Sequence, residues 1–315
     1  MGRYILRRIT ALVPILLGLS VVVFAIMAAI PGDPALAILG AYATEENIAD
    51  LRRQLGLDQS LVIQYFHWLT NLLQGDLGRA YSLNRPVLDE VLERFGATLI
   101  LAAAALFLST LLGLAAGVTA AVRQFGWPDR VLTVLVLVGI SLPSFWLGLL
   151  LILLFAVELR WLPVSGMYAV YGGGGIGDLL YHLILPAVTL AAVATGVIAR
   201  LTRTQMLEVL RQPFIRTARA AGIAEGRVIR RHAGRVALAS VVPVIGIQAG
   251  FVLGGAVYIE TVFQWPGIGR MLVQAIAQRD ILLVQGGVLV VAASYVLFNL
   301  AADVIQFTLD PRIQG

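Results

Sequence analysis

Six stretches of the chain are apolar almost all round, with neither the two-residue alternation of a half-buried strand nor the one-sided stripe of a surface helix: Ile9–Ile30, Ala97–Val122, Val131–Val157, His182–Ala199, Val236–Ile259 and Ile281–Gln306. A helix needs about 20 apolar residues to cross a bilayer, so each stretch predicts a spanning helix. The expected fold is all-α and polytopic, with six transmembrane helices. The fourth stretch is short and contains Pro186, and Pro143 and Pro243 sit in or near the third and fifth. Prolines are tolerated where neighbouring helices satisfy the freed carbonyls. Ala35-Leu36-Ala37 looks like a signal cleavage site, but the apolar stretch before it exceeds the roughly 7–15 residues of a signal peptide. It is read as a retained first helix.

The connecting segments carry a different pattern. Between residues 31 and 96, Thr44 precedes Glu45-Glu46-Asn47 as an N-cap, and Leu61, Tyr65, Trp68, Leu69 and Leu72 recur at helical spacing. This predicts amphipathic helices lying on the membrane surface. The organisation is a first span over 1–30, a loop with amphipathic helices over 31–96, a five-helix core over 97–306 and a tail over 307–315.

Composition supports the membrane class: 59% of residues are hydrophobic and 13% charged, against roughly a quarter charged in soluble domains. All 23 basic residues are arginine. Without lysine the chain cannot form a standard P-loop, so it should not hydrolyse ATP by itself. It has no cysteine, which excludes disulfides and thiolate metal sites, and no cofactor or metal is expected. The net charge of +5 does not point to nucleic acid, because the arginines gather in particular loops. With the N-terminus inside, the inner segments hold Arg3, Arg7 and Arg8, Arg123 and Arg130, nine arginines from 200 to 235, and Arg312. That bias places both termini in the cytoplasm.

The spanning stretches offer no ionisable group near mid-membrane, where such groups mark ion pathways. Neutral polar residues remain, among them Gln248 and Asn299. This argues against an ion-coupled carrier. Gly246, Gly250 and Gly254 recur one turn apart, and Gly113 and Gly117 repeat the spacing. Such residues let backbones approach closely, either within the chain or against a second subunit or gate.

The most basic segment is "RTARAAGIAEGRVIRRHAGR", residues 216–235. Phe214, Ala218, Ala221 and Gly222 fall on one helical face, with Arg216 and Arg219 on another. Gly222 suits the left-handed position that ends a helix, and a second helix can start near Ala224. A hairpin binding anionic headgroups explains the arginines. A small-residue face ending in glycine suits docking into another protein's groove.

This segment resembles the cytoplasmic loop of ABC importer permeases, with Arg216-Thr217-Ala218 where the general signature has Glu-Ala-Ala and Gly222 at its glycine. The missing acidic residue is similar to the dipeptide/oligopeptide branch, in which "TARAxG" precedes a histidine, here His232. "YILRRI", "IPGDPA", "LGLD", "QGDLG", "WLPVSG", "ETVFQWPGIGR" and "LDPR" follow that branch in order. The resemblance implies a multi-pass permease in the bacterial inner membrane, paired with a homologous permease, two ATPase subunits and an extracytoplasmic solute-binding protein. It implies ATPase coupling through segment 212–235, with Phe214, Arg216, Thr217, Ala218, Arg219, Ala221, Gly222 and His232. Residues 31–96 then form an external loop.

Gly246, Gln248, Gly250, Gly254 and Asn299 are candidates for the passage or helix packing. The external loop Trp161–Asp178, with Trp161, Tyr168, Tyr171 and Gly173, is a candidate contact for the binding protein; its four consecutive glycines also fit a flexible connector. Di- and oligopeptides are the expected cargo, with glutathione, nickel chelates and sugars as alternatives. A passive channel, an ion-coupled carrier or a membrane scaffold are the readings from other classes.

Overall fold

The computed structural model describes residues 2–29, 34–40, 43–54 and 56–309. The tail beyond residue 309 and the start of the "IPGDPA" motif lie outside them. Among the described residues, five helices are long and apolar enough to span a bilayer: Leu12–Ala29, Val87–Val122, Gly175–Leu210, Glu225–Val262 and Ile281–Ala301. A sixth span requires counting Trp127–Ser141 and Ser144–Glu158 together, and these are bent by 109°. The third apolar stretch is therefore not the straight helix its hydropathy predicts. Pro143 forces the residue before it out of helical geometry, and Leu142 adopts φ −82°, ψ 133°.

The chain divides into two compact units. The first, residues 1–97 and 266–296, contains α1 (Gly2–Ala29), α2 (Pro34–Leu39), α3 (Glu45–Gln54) and α4 (Leu61–Leu73). A two-residue hairpin pairs Arg79–Ala80 with Arg85–Pro86. It leads into α5 (Val87–Val122), whose first turns belong here with α12 (Ile268–Ala277) and most of α13 (Ile281–Leu309). As expected, Thr44 caps α3 by accepting from Asn47 N–H at 3.2 Å. The periodic aromatics of α4 turn toward α1: Tyr65 reaches Ser20 Oγ at 2.9 Å, and Phe24 meets the rings of Tyr65 and Trp68. Leu61, Val62, Phe66 and Leu73 stay exposed, as a helix in a membrane interface requires.

The core of this unit includes Val87, Val91, Met271 and Leu283. Buried Asp280 ties the hairpin to α13: its carboxylate accepts from Ser82 N–H at 3.0 Å, Ser82 Oγ at 2.7 Å and Leu283 N–H at 3.2 Å. Tyr81 Oη accepts from Ile281 N–H beside it at 2.6 Å. Burial, reinforced by the Asp280 charge, pushes the Tyr81 phenol up to about 12, so it stays neutral at physiological pH.

The second unit, residues 98–265 and 297–315, is organised around one helix. It contains the rest of α5, α6 (Trp127–Ser141), α7 (Ser144–Leu151) with a π-helical extension to Glu158, α8 (Gly175–Leu210), α9 (Pro213–Ala220), α10 (Glu225–Arg227), a second π-helical stretch Val228–Ala233 and α11 (Gly234–Val262). The weakest apolar stretch of the sequence becomes α8, the most deeply buried span, against which α6, α7 and α11 pack. Pro186 lies inside it and is buried.

Glycine makes this close packing possible. A Cβ added at Gly113 would lie 2.8 Å from Ile198 Cβ; at Gly117 it would meet Thr202 Cβ at 2.5 Å and Ala199 O at 2.6 Å. A Cβ at Gly196 would meet Ile140 Cγ1 at 2.6 Å. The Gly113/Gly117 seam is thus internal, joining α5 to α8.

An ion pair fixes α6 on the same helix. Arg203 Nε and Nη2 donate to the two oxygens of Asp129 at 2.7 and 2.8 Å. Phe125 N–H and Thr133 Oγ1 add donors at 3.0 and 3.4 Å.

These distances give opposite signs for one substitution at two glycines. Alanine gains about 1 kcal/mol of helix propensity over glycine, while overpacking costs about 1–3 kcal/mol. Gly117→Ala meets a backbone carbonyl that cannot swing aside, so it should lower the unfolding temperature of the purified chain in detergent. Gly254→Ala meets nothing within 4 Å in this chain and should leave that temperature unchanged or raised.

Candidate functional site: the basic hairpin and the passage helices

The basic hairpin begins where α8 ends. Gln212 is extended, Pro213 occupies the first helical turn, and α9 runs to Ala220. Proline suits that position because its missing N–H would have no partner there. Gly222 adopts φ +76° and stops the helix. Its N–H reaches Arg219 O at 3.0 Å, and Ile223 N–H reaches Ala218 O at 3.3 Å. These are the two bonds of a Schellman cap. Ala224 then caps α10, accepting from Arg227 N–H at 2.8 Å. The turn is closed again by Arg219, whose guanidinium donates to Glu225 through Nη2 at 2.6 Å and Nε at 3.1 Å.

Packing divides the α9 face expected from the spacing. Ile215 and Ala218 are buried with Met206 and Val209 of α8, Ala121 of α5, and Val228, Ala233 and Ala237. Ala218 therefore belongs to the chain's own core, not to a docking surface shared with Phe214, Ala221 and Gly222. The reason is steric: only a small side chain lets α9 lie down on α8. Phe214, Arg216, Thr217, Arg219, Ala221 and Gly222 remain exposed, with Arg227, Arg230 and Arg231 beside them, while His232 is half-buried. The result is a basic knob with one exposed aromatic ring, backed by a packed core.

Of the passage candidates, Gln248 and Gly250 are buried, Gly246 and Asn299 half-buried, and Gly254 exposed. The loop candidates are gathered in one excursion. Trp161 is held by Tyr181 Oη, which donates to its carbonyl at 2.8 Å, and Gly166 N–H reaches Phe263 O at 2.9 Å. Beyond it the glycines are shaped around Asp178, whose Oδ2 accepts from Ala169 N–H at 2.9 Å and Gly174 N–H at 3.0 Å. Gly172, Gly174 and Gly175 have positive φ, and a Cβ at Gly173 would lie 2.3 Å from Ala169 O. The glycine run thus builds a closed loop and does not act as a shapeless connector. Tyr171 is 93% exposed at its tip. Tyr168 is exposed beside it.

Polar centres that escaped the sequence reading include Asp129–Arg203, the Asp178 loop closure, and Glu260, which lies fully buried within "ETVFQWPGIGR" and accepts from Thr98 Oγ1. In each, the partners are far apart in sequence or the acceptor reads as an ordinary end-of-helix charge.

The family model described as binding-protein-dependent transport system inner membrane component matches residues 109–315, and its N-terminal companion matches residues 1–102. The chain belongs to the binding-protein-dependent transport permeases. It is 42% identical over 314 residues to the glutathione transport system permease protein GsiC of Salmonella choleraesuis (strain SC-B67), covering 100% of this chain and 99% of the relative. Identity to the same-named permease of Escherichia coli (strain K12) is 41%, with the same coverage. The fold matches an inward-facing structure of the MetNI methionine ABC transporter at TM-score 0.58 and 19% identity, covering 70% of this permease and 96% of that chain. An amino acid ABC transporter with histidines matches at TM-score 0.51 and 15% identity, covering 71% and 94%. This permease is accordingly a membrane-spanning, non-enzymatic subunit of an ABC importer, which works with separate ATPase and substrate-binding proteins.

Hydrogen exchange distinguishes the two faces of α9. Ala218→Glu places a carboxylate among Ile215, Met206 and Val228, and an unpaired buried charge is strongly destabilising. Amides of 213–233 should lose protection. Phe214→Ala should leave their protection unchanged.

Proposed function

We propose that this chain is one of two homologous permease subunits enclosing the passage of an importer for short peptides, glutathione among them. Both termini face the cytoplasm, residues 31–96 and the loop 161–178 face outward, and the latter meets the binding protein through Tyr168 and Tyr171. The basic hairpin docks the ATPase through Phe214 and its flanking arginines. The observation that carries this reading is the hairpin's construction: an exposed aromatic among arginines, on a core shared with α8. End-to-end similarity to glutathione permeases supports the cargo class. The Gly254 side of α11, open in this chain, supports contact with a second permease.

Uptake of labelled glutathione and of a dipeptide, by proteoliposomes holding the full importer and its binding protein, tests the assignment. Phe214→Ala should reduce ATPase co-purification and uptake at least about tenfold, the factor that each 1.4 kcal/mol of lost interaction brings, with hairpin protection intact. Undiminished uptake would overturn the docking role. For orientation, Glu46→Cys on exposed α3 supplies a labelling site. An impermeant maleimide should label it from outside. Labelling from the cytoplasmic side alone would reverse the topology.

A further inference from the structure

A crevice of about 240 Å³ opens between α5, α6 and α8, lined by Gly117, Val136, Leu137, Arg200, Arg203 and Thr204 among others. Its floor is apolar and its rim basic. Arg203 is neutralised by Asp129, but Arg200 has no ion-pair partner among the described residues and is exposed. The crevice starts beside the α5–α6 turn, where Phe125 and Trp127 are 75% and 76% exposed and Arg123 and Arg130 flank them. Exposed aromatics beside arginines mark the headgroup level of a membrane. Along α6 the lining runs from Leu132 to Leu137, a helical rise of about 7.5 Å. An apolar slot of that length, opening at a basic rim, matches the upper part of an acyl chain below a phosphate.

We propose that this crevice holds an anionic phospholipid, its phosphate on Arg200 and the upper part of an acyl chain along Val136 and Leu137. The occupant is a lipid and not a soluble phosphate, because the lining beside the arginines, with Ala116, Val136 and Leu137, is apolar. Charge decides the headgroup: a juxtamembrane arginine attracts anionic lipid. The lipid would wedge the ends of α6 and α8 that the Asp129–Arg203 pair already joins. Its assignment to the cytoplasmic leaflet rests on the orientation proposed above; its binding does not.

Native mass spectrometry of the assembled importer, titrated with phosphatidylglycerol, phosphatidylethanolamine or glycerophosphate, tests the site. Wild type should retain phosphatidylglycerol over phosphatidylethanolamine. Arg200→Gln should weaken that retention about fivefold, the worth of one arginine near a membrane surface. Arg200→Lys should largely preserve it, and Arg130→Gln, on the same side but outside the crevice, should not weaken it. In the wild-type complex, a photoreactive phosphatidylglycerol should crosslink to residues 132–137 or 199–204. Equal losses in Arg130→Gln and Arg200→Gln would reduce the effect to diffuse surface charge. Equal retention of both lipids, competition by glycerophosphate, or adducts mapping elsewhere would overturn the proposal.

Discussion

Between helices in a bilayer there is no water to expel, so association rests on how closely backbones approach and on the few polar groups that find partners. In the second unit this constraint converges on α8. Gly113 and Gly117 of α5 meet α8 where a methyl group would not fit, and Gly196 of α8 admits Ile140 of α6. The Asp129–Arg203 pair then sets the rotation of α6 on the same helix. Asp129 is buried and Arg203 half-buried, so removing the arginine would leave a buried carboxylate unpaired.

The functional parts are attached to that helix at both ends. At one end, Asp178 in the first turn of α8 gathers the glycine loop, and Tyr181 holds Trp161. At the other, Met206 and Val209 form the core on which α9 lies. A push on Phe214 would pass into α8 through packed side chains. The Schellman turn at Gly222 and the Arg219–Glu225 pair keep the hairpin from bending first. Under the docking role proposed for Phe214, a chain without an ATP site would take part in ATP-driven transport by this route.

Much of the fold was legible because membrane helices declare themselves by composition and caps by residue type. The helix over Leu61–Leu73, the Thr44 cap and the left-handed Gly222 follow from local chemistry that no tertiary contact overrides. The break at Pro143 was hidden, since hydropathy does not sense direction and the stretch is apolar on both sides of it. Spacing placed Ala218 with Phe214 on a docking face, but a small residue at helical spacing is equally suited to lying against its own chain, and the Met206–Val228 core claimed it. The Gly113/Gly117 seam and the Gly254 face look alike in sequence; only their neighbours tell an internal seam from an open one. Asp129 and Arg203 lie 74 residues apart and each resembles an ordinary charge at a membrane boundary.

The central claim is that α8 and the basic hairpin move as one body. The natural absence of cysteine allows a direct test with spin labels at Val193→Cys and Arg216→Cys, read by pulsed electron spin resonance in the assembled importer. The account predicts one narrow distance distribution that stays the same with and without bound ATP. A broad distribution, or a shift of several ångströms on ATP binding, would contradict it.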